Sequence, residues 1–320
     1  MKVFVTGVSG QLGHDVMLEL KKRGIIAVGS DRSGDGKGEF DVVALDITDQ
    51  ANVEKTLQEI HPDAIVHCAA WTNVDGAEDE NMKPIVKKVN VDGTQNLADM
   101  AKKLDSKMLY ISTDYVFNGK GTTPWQPDDH SYAPLNYYGE TKLGGEQAVA
   151  NTLDKYFIVR IAWVFGKNGK NFVDTMLHVG REHNEVKVVD DQIGTPTYCP
   201  DLARLLVDML ETEKYGYYHA TNEGGYISWA DFTKEIFKQA GINSKVIPVS
   251  TEEYEAIVGK AVAARPKNSR LDKSKLKENG FKPLPTWQDA LSRYLNVRDV
   301  AESLRCLSSR KTYNQNFSRP

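Results

Sequence analysis

Two residues near the middle of the chain have the types and spacing of an acid–base pair. The stretch YYGETK ends with Lys142, four residues after Tyr138, so the two side chains would share one face of a helix. Tyr137 would be turned away by about 100°, as a packing or pocket-wall neighbour. A lysine charge beside the phenol would lower its pKa from about 10, and the phenol could protonate a carbonyl oxygen that receives a hydride. Alone, the spacing also fits an ordinary surface helix.

A second polar group comes earlier, where an apolar run ends. YISTDYVFNG contains Ser112, Thr113 and Asp114 directly after its apolar residues. Open α/β sheets bind ligands at the carboxyl ends of parallel strands, so the Thr113 hydroxyl could hold a substrate carbonyl beside the tyrosine. The alternative is a hydroxyl that only caps its own backbone.

Three glycines follow the first apolar run. TGVSGQLGHD places Gly7, Gly10 and Gly13 at the junction of a predicted strand and a predicted helix. The first glycine would permit a tight turn, the second a close approach to a pyrophosphate, and the third close packing of helix on strand. The free N–H groups of the helix N-terminus would face the phosphates. The turn therefore predicts a dinucleotide site.

The next predicted strand should end with a group for the adenosine ribose. AVGSDRS supplies Asp31, whose carboxylate could accept from the 2′-hydroxyl of NAD. Arg32 follows, and its guanidinium could pair instead with the 2′-phosphate of NADP. Two solvated loop charges are the alternative. We expect NADH or NADPH as cofactor and favour NADH.

These residues need a scaffold, and the first half of the chain has the pattern of one. Apolar runs rich in Val and Ile, with little polar alternation, are typical of strands buried on both faces. Helical patterns separate them, which predicts an α/β fold with a Rossmann-type doubly wound parallel sheet. The predicted strands are 2–6, 25–30, 41–46, 64–70, 107–113 and 156–163.

The pattern loosens after this half, which predicts a division of the chain. We expect an NAD(P)-binding Rossmann domain over residues 1–163, to which later helices and strands return. Residues 164–298 would form mainly a smaller, C-terminal substrate-binding lobe. The polar residues 299–320 show no periodicity and are predicted to be a mobile tail.

Composition restricts the class of protein. The 320 residues carry a net charge of -4, which gives no electrostatic reason to expect nucleic acid or an anionic membrane. No apolar run reaches the roughly 20 residues of a membrane span, and no signal-peptide pattern is present. The three separated cysteines and the histidines match no disulfide framework or metal signature. We expect a cytoplasmic protein with no nucleic-acid partner, no membrane partner and no catalytic metal.

The motifs together resemble the extended short-chain dehydrogenase/reductase superfamily, and in particular the dTDP-4-dehydrorhamnose reductases. The glycine turn, CAAWTNVDGAED, STDYVF and YYGETK carry the likeness, and RIAWVFGKNGKNFVDTML, DQIGTPTYCPDLA and RPKNSRLD extend it over about residues 1–298. The resemblance implies NAD(P)H-dependent reduction of the C4 keto group of dTDP-4-dehydro-6-deoxy-L-mannose to dTDP-L-rhamnose. That product feeds polysaccharide biosynthesis.

The resemblance also implies roles for individual residues. Thr113, Tyr138 and Lys142 would be the catalytic set, with Tyr138 as the proton donor. Asp114 and Trp163 would contact the nucleotide-sugar substrate. Residues that could hydrogen-bond its diphosphate or sugars are Asn171, Arg265 and Ser269. The cofactor-binding residues predicted from the motifs and the resemblance are Gly7, Gly10, Gln11, Leu12, Gly13, Asp31, Arg32, Asp46, Ile47, Ala69, Ala70, Thr72, Tyr138 and Lys142.

Other functions stay open at this point. A catalytically silent regulatory subunit could keep the fold and the nucleotide site, as the regulatory subunit of methionine adenosyltransferase resembles the same family. A reductase or epimerase of another nucleotide-linked keto sugar would share the motifs. A dehydratase is disfavoured, because Tyr115 stands where those enzymes carry a carboxylate. Some relatives bind magnesium at a homodimer contact through glutamates, and Asp15 falls at one such position. A homodimer with a structural magnesium ion is therefore also open.

Overall fold

The computed structural model describes residues 1–34, 40–259 and 263–298. The tail predicted over residues 299–320 lies outside the described residues. Among the residues described, no helix is both long and apolar enough to cross a lipid bilayer.

Parallel strands form one large central sheet. In chain order the strands are β1 (Lys2–Thr6), β2 (Ile26–Asp31), β3 (Val42–Ala44), β4 (Ala64–His67), β5 (Lys107–Thr113), β6 (Tyr156–Ile161), β7 (Val164–Phe165), β8 (Glu185–Val189), β9 (Ile193–Gly194), β10 (Thr197–Tyr198), β11 (Gly216–His219), β12 (Ile227–Ser228) and β13 (Lys245–Val249). The large sheet has seven strands in the order β11-β6-β5-β4-β1-β2-β3. The direction of winding reverses between β1 and β4, which is where such sheets bind dinucleotides.

Helices cover both faces of this sheet. Other helices pack away from it. In chain order the described helices are α1 (Gln11–Lys22), α2 (Gln50–Ile60), α3 (Lys83–Lys87), α4 (Gly93–Lys103), α5 (Tyr137–Thr152), α6 (Phe172–Glu182), α7 (Cys199–Leu210), α8 (Trp229–Ala240), α9 (Thr251–Val258), α10 (Ser274–Glu278) and α11 (residues 287–298). Alternate residues of β1 enter opposite cores: Val3 and Val5 lie in the cluster that includes α1 and α7, whereas Phe4 lies in the cluster that includes α2 and α4. The predicted Rossmann-type fold is confirmed.

The six predicted strands match β1 to β6 within a few residues at each end. The seventh, β11, comes from the part of the chain where the pattern loosens, and it pairs in parallel with β6. The remaining strands form two-stranded pairs, β7 with β10, β8 with β13 and β9 with β12. A third cluster of buried residues, which includes Phe165, Phe232 and Trp287, packs α6, α8 and α11 together near these pairs. The residue limits of the two predicted domains stay a prediction.

Candidate active site

The glycine turn after β1 has the geometry that a pyrophosphate site requires. Gly7 has φ +71°, and a Cβ there would come within 2.8 Å of the backbone of Ala69. A Cβ on Gly13 would lie 2.3 Å from the Gly7 carbonyl oxygen, so only glycine lets α1 pack this closely. No side chain caps the start of α1 at Gly10, and its first turn carries no acidic residue. Its N–H groups can therefore receive an anion.

Gln11, the first residue of α1, lies beside the loop that joins β7 to α6. Its side-chain Nε2 donates to the backbone oxygen of Lys170 over 3.2 Å. Leu12 and Ile47, two other predicted cofactor residues, are buried. Ala69 follows β4, and its N–H donates to the Thr6 hydroxyl at the end of β1. Ala69 thus lies against the end of β1, close to the glycine turn.

The predicted ribose-binding residues lie at the end of β2 and nearby. Asp31 is half-buried, and its Oδ1 lies 3.3 Å from the Ser33 hydroxyl, which donates to it. Arg32 is exposed. Burial tends to raise the pKa of Asp46, but hydrogen bonds from Thr48 and the charges of Arg32 and Lys88 lower it overall. Asp31 and Arg32 thus place a carboxylate and a guanidinium at the end of β2. Ala70 and Thr72 lie in the loop that follows β4, where Ala70 is half-buried and Thr72 is exposed.

Thr113 and Asp114 lie where β5 ends, at the edge of the sheet that binds ligands in this fold. The Thr113 hydroxyl donates to Asp114 Oδ1 over 3.0 Å. Burial raises the pKa of Asp114 to about 6, although hydrogen bonding to Ser269 and Thr113 opposes this. Within the described residues, Asp114 Oδ2 meets no donor in hydrogen-bonding geometry. The carboxyl group can therefore change its charge near neutral pH and retains an oxygen for another partner.

Tyr138 lies at the start of α5, beside this pair. Its ring packs edge-on against Tyr115 at 5.7 Å between centroids. Burial raises the pKa of Tyr138, the charge of Asp114 raises it further, and a hydrogen bond with Thr113 only partly opposes them. The sequence argument expected Lys142 to lower this pKa, and that expectation is wrong for the protein without ligands. Helical spacing predicts that the two side chains share a face, but it does not show how deeply Tyr138 is buried. Burial has the largest influence on the pKa of Tyr138.

Lys142, one turn further along α5, is almost completely buried, at 3% exposure. Burial lowers its pKa to about 7, against the opposing charges of Glu146 and Cys68. Tyr137 lies elsewhere: its N–H donates to Glu78, and the ammonium of Lys83 lies 5.3 Å from its ring centre. Of the two adjacent tyrosines, Tyr138 is the one that shares its surroundings with Thr113.

Several residues that position the site were missed in the sequence. Asn136 caps α5 by accepting from the N–H of Gly139, and a Cβ on Gly139 would lie 2.4 Å from the Tyr115 carbonyl oxygen. Asn90 lies in a wide helical turn, Lys88–Asp92, and its side chain binds both the Trp71 backbone and the Thr141 hydroxyl. The Asn before the helix was a readable capping signal, whereas nothing in the sequence pointed to Asn90.

Trp163, the predicted substrate contact, has an unusual backbone and a stacked ring. Its φ is +52°, which is rare for a bulky residue. Its ring stacks on Trp229 with 3.6 Å between centroids and 16° between planes. A Cβ on Gly194 would lie 2.9 Å from the Trp163 ring, so this glycine lets the backbone pass beside it. Trp229 begins α8 and was not selected from the sequence.

The other residues proposed for the diphosphate have different surroundings. Asn171 caps α6 and donates to the Gly166 carbonyl oxygen and to the Tyr294 hydroxyl, so its amide is used within the protein. Arg265 makes a two-point ion pair with Asp75. Ser269 lies beside Asp114 and is the best placed of the three to contact a ligand.

Asp15, the residue associated with a magnesium site, is buried in α1. Its Oδ1 lies 3.7 Å from Nδ1 of His14, and Oδ2 has no hydrogen-bond partner within the described residues. In the described part of the chain, no group of three or more His, Cys, Asp or Glu residues is arranged to hold a metal ion.

Several known proteins with similar sequences are named dTDP-4-dehydrorhamnose reductase. The family model described as RmlD substrate binding domain matches residues 1–300. A dTDP-4-dehydrorhamnose reductase of Streptomyces griseus is 38% identical, over 90% of this chain and 91% of that protein. The spore coat polysaccharide biosynthesis protein SpsK of Bacillus subtilis (strain 168) is 36% identical, over 94% of this chain and 99% of that protein.

A solved structure agrees with these sequence matches. The crystal structure of dTDP-4-dehydrorhamnose reductase from Bacillus anthracis str. Ames in complex with NADP is 40% identical, with a TM-score of 0.83. The match covers 92% of this chain and 98% of that one. The resemblance read from the motifs is confirmed, and the chain belongs to the dTDP-4-dehydrorhamnose reductase family.

Proposed function

We propose that the protein reduces the C4 keto group of dTDP-4-dehydro-6-deoxy-L-mannose to dTDP-L-rhamnose, with NADH or NADPH as the hydride donor. The observation that carries the proposal is the meeting of Thr113, Asp114 and Tyr138 where β5 ends and α5 begins. Lys142 lies one turn further along α5, in the same buried region. A hydroxyl, a carboxyl, a phenol and an ammonium are the groups that a carbonyl reductase needs.

The roles follow from the chemistry of each group. The nicotinamide, when bound, supplies the hydride that C4 accepts. Tyr138 gives its phenolic proton to the C4 oxygen, and its raised pKa keeps the phenol protonated beforehand. Thr113 holds the carbonyl oxygen beside that phenol. The ammonium of Lys142 stabilises the phenolate left on Tyr138 until a proton from solvent restores it. Ketone, hydride and proton thus balance to a secondary alcohol.

The substrate and the cofactor would occupy opposite sides of this group. The turn from Gly7 to Gly13 and the open N-terminus of α1 support binding of the cofactor pyrophosphate. Asp31 favours NADH and Arg32 would allow NADPH. Trp163 would stack on the nucleotide sugar, and Asp114 would hydrogen-bond it. We also propose a homodimer, and any structural magnesium ion at Asp15 would then need ligands from both copies.

The experiment that tests this proposal is a direct assay. Purified protein is mixed with dTDP-4-dehydro-6-deoxy-L-mannose and with NADH or NADPH, and loss of the nicotinamide absorbance is followed while dTDP-rhamnose is identified as the product. Turnover with this sugar establishes the reaction. Cofactor binding without turnover would reject it, and turnover of a different nucleotide-linked keto sugar would move the assignment to that substrate. A stoichiometric protein partner together with no turnover would favour a regulatory subunit.

A further inference from the structure

Tyr110 is a buried residue of β5 that contacts Lys142 twice. The ammonium of Lys142 lies 4.1 Å from the centre of the Tyr110 ring. The Tyr110 hydroxyl donates to the backbone oxygen of the same lysine over 3.2 Å. Tyr110 is completely buried, three residues before Thr113 along the strand. One side chain therefore contacts both the charged end and the backbone of Lys142.

The neighbours of Tyr110 fix its ring in this position. A Cβ on Gly145 would lie 2.1 Å from the Tyr110 hydroxyl oxygen, so glycine is what lets α5 pass over the phenol. On the side of β4, the His67 ring lies 5.6 Å away between centroids. The His67 nitrogens lie within hydrogen-bond distance of the hydroxyls of Thr6 and Thr94, at 2.8 and 3.1 Å. The ring is thus held between α5 and the neighbouring strand.

The Lys142 charge needs such support because its surroundings are dry. The groups that interact with it are Glu146 on its own helix, Tyr110 on β5, and His67 and Cys68 on or after β4. Burial raises the pKa values of Tyr110 and Cys68, so both remain neutral at working pH. Burial lowers the pKa of His67 to about 3, so it is neutral as well.

Glu146 is the acidic residue of this group, but its carboxylate already has partners. Arg160 donates to both of its oxygens over 2.8 Å, and the Ser112 hydroxyl donates to Oε1. The aromatic face of Tyr110 therefore lies 4.1 Å from an ammonium whose acidic neighbour, Glu146, also pairs with Arg160. A desolvated cation over an aromatic face is stabilised more strongly than an exposed one.

We propose that Tyr110 is a positioning residue whose ring face binds the Lys142 ammonium and keeps it charged on the face of α5 that Tyr138 shares. The catalytic consequence rests on the function proposed above, whereas the effect on the lysine itself does not. The ring is the part that binds the ammonium, so Tyr110→Phe should match the natural protein in the pKa of Lys142 and in kcat/KM. Tyr110→Leu removes the aromatic face while keeping an apolar side chain.

The test measures Lys142 itself as well as turnover. The folded protein without ligands is acetylated at a series of pH values, and mass spectrometry of its proteolytic digest measures how much of the Lys142 amine has reacted. The dependence of the acetylation rate on pH gives the pKa of Lys142. We expect Tyr110→Leu to lower this pKa by about 1 to 1.5 units, to move the alkaline limb of kcat/KM to lower pH, and to reduce kcat/KM about 10- to 30-fold. Tyr110→Phe should change kcat/KM by less than about threefold.

Tyr218 offers a matched control on β11. It is also buried, its hydroxyl donates to the Lys214 backbone oxygen over 2.6 Å, and the Lys275 ammonium lies 5.3 Å from its ring centre. Tyr218→Leu should leave the Lys142 pKa and the alkaline limb unchanged. An unchanged Lys142 pKa in Tyr110→Leu would overturn the proposal, as would an equal change in Tyr218→Leu. If the natural protein reduces no keto sugar, the proposed function fails, yet the acetylation experiment still decides the role of Tyr110.

Discussion

Arg160 and Glu146 form a two-point ion pair in the interior, with the Arg160 Nε and Nη2 each 2.8 Å from a Glu146 oxygen. Neither side chain is more than 1% exposed. Arg160 also lies over the rings of Phe117 and Tyr217, at 4.9 and 4.8 Å from their centres. The pair joins β6 to α5, the helix that carries Tyr138 and Lys142.

Removing one partner of this pair should destabilise the protein strongly. Arg160→Met would leave the Glu146 carboxylate buried without its cation, and such losses typically cost about 3–5 kcal/mol of the free energy of unfolding. Urea unfolding followed by circular dichroism gives this value. Lys155→Met, which breaks the exposed pair with Asp105, is the control and should change stability little. Equal stability of the two variants would contradict a structural role for the buried pair.

Replacing Tyr138 should abolish most turnover without loss of cofactor binding. Tyr138→Phe removes the phenolic proton, and positioned acid catalysis is typically worth roughly 10²–10⁴-fold in rate. Steady-state kinetics gives kcat, and quenching of protein fluorescence gives the dissociation constant of NADH. Tyr137→Phe is the matched control, because the adjacent tyrosine contacts Lys83 and Glu78 instead. A fall in kcat for Tyr137→Phe, with normal turnover in Tyr138→Phe, would make Tyr137 the proton donor instead.

The sequence predicted those parts of the molecule that depend on local pattern. Buried strands and the glycines of the first turn are local features, so the sheet and the open end of α1 could be predicted. The positions of Tyr138 and Lys142 on one helical face could be predicted for the same reason. β11 could not be assigned to the large sheet, because its partner β6 lies far away along the chain.

Contacts between side chains that lie far apart in the sequence could not be predicted either. Nothing in the spacing of residues brings Trp229 against Trp163, or Tyr110 against Lys142. The charge argument for Tyr138 failed for a related reason. Helical spacing indicates that Tyr138 and Lys142 lie on one face of the helix. The pKa of Tyr138 depends also on how far the fold removes the phenol from water.

Asp114 should make the stability of the protein depend on pH. Burial raises its pKa from 3.8 to about 6, so the fold favours the protonated carboxyl. The contribution of this group to stability is therefore complete below about pH 4 and is lost as pH rises through about 6. Asp114→Asn cannot ionise and should be more stable than the natural protein at pH 7.5, by up to about 3 kcal/mol. Urea unfolding at pH 4 and 7.5 measures this.

The measurement at pH 4 is the control for the measurement at pH 7.5. The advantage of Asp114→Asn should nearly vanish at pH 4, because the natural side chain is then protonated as well. An advantage of equal size at both pH values would show that the amide stabilises the fold for another reason. Since Thr113 can donate to the amide oxygen as it does to the carboxyl, the hydrogen bond between the two residues should survive.

Asp31 should set the preference between the two nicotinamide cofactors. Asp31→Ala removes the carboxylate that would accept from the ribose 2′-hydroxyl, so KM for NADH should rise about 10-fold. KM for NADPH should fall or stay unchanged, because the variant no longer repels the 2′-phosphate. Asp41→Ala, which removes an exposed carboxylate directly before β3 with no predicted cofactor role, is the comparison. Equal increases in both KM values for Asp31→Ala would place the adenosine ribose elsewhere.

Trp229 should act on the substrate through Trp163. Trp163 is held at φ +52°, and its ring is stacked on Trp229. Trp229→Leu removes the stacking partner, so Trp163 should leave the orientation in which its other face can meet a nucleotide sugar. We expect KM for the nucleotide sugar to rise about 10-fold, with the dissociation constant of NADH unchanged. Trp229→Phe keeps a ring and should recover most of the loss. A rise in both constants for Trp229→Leu would instead indicate general damage to the structure around this stack.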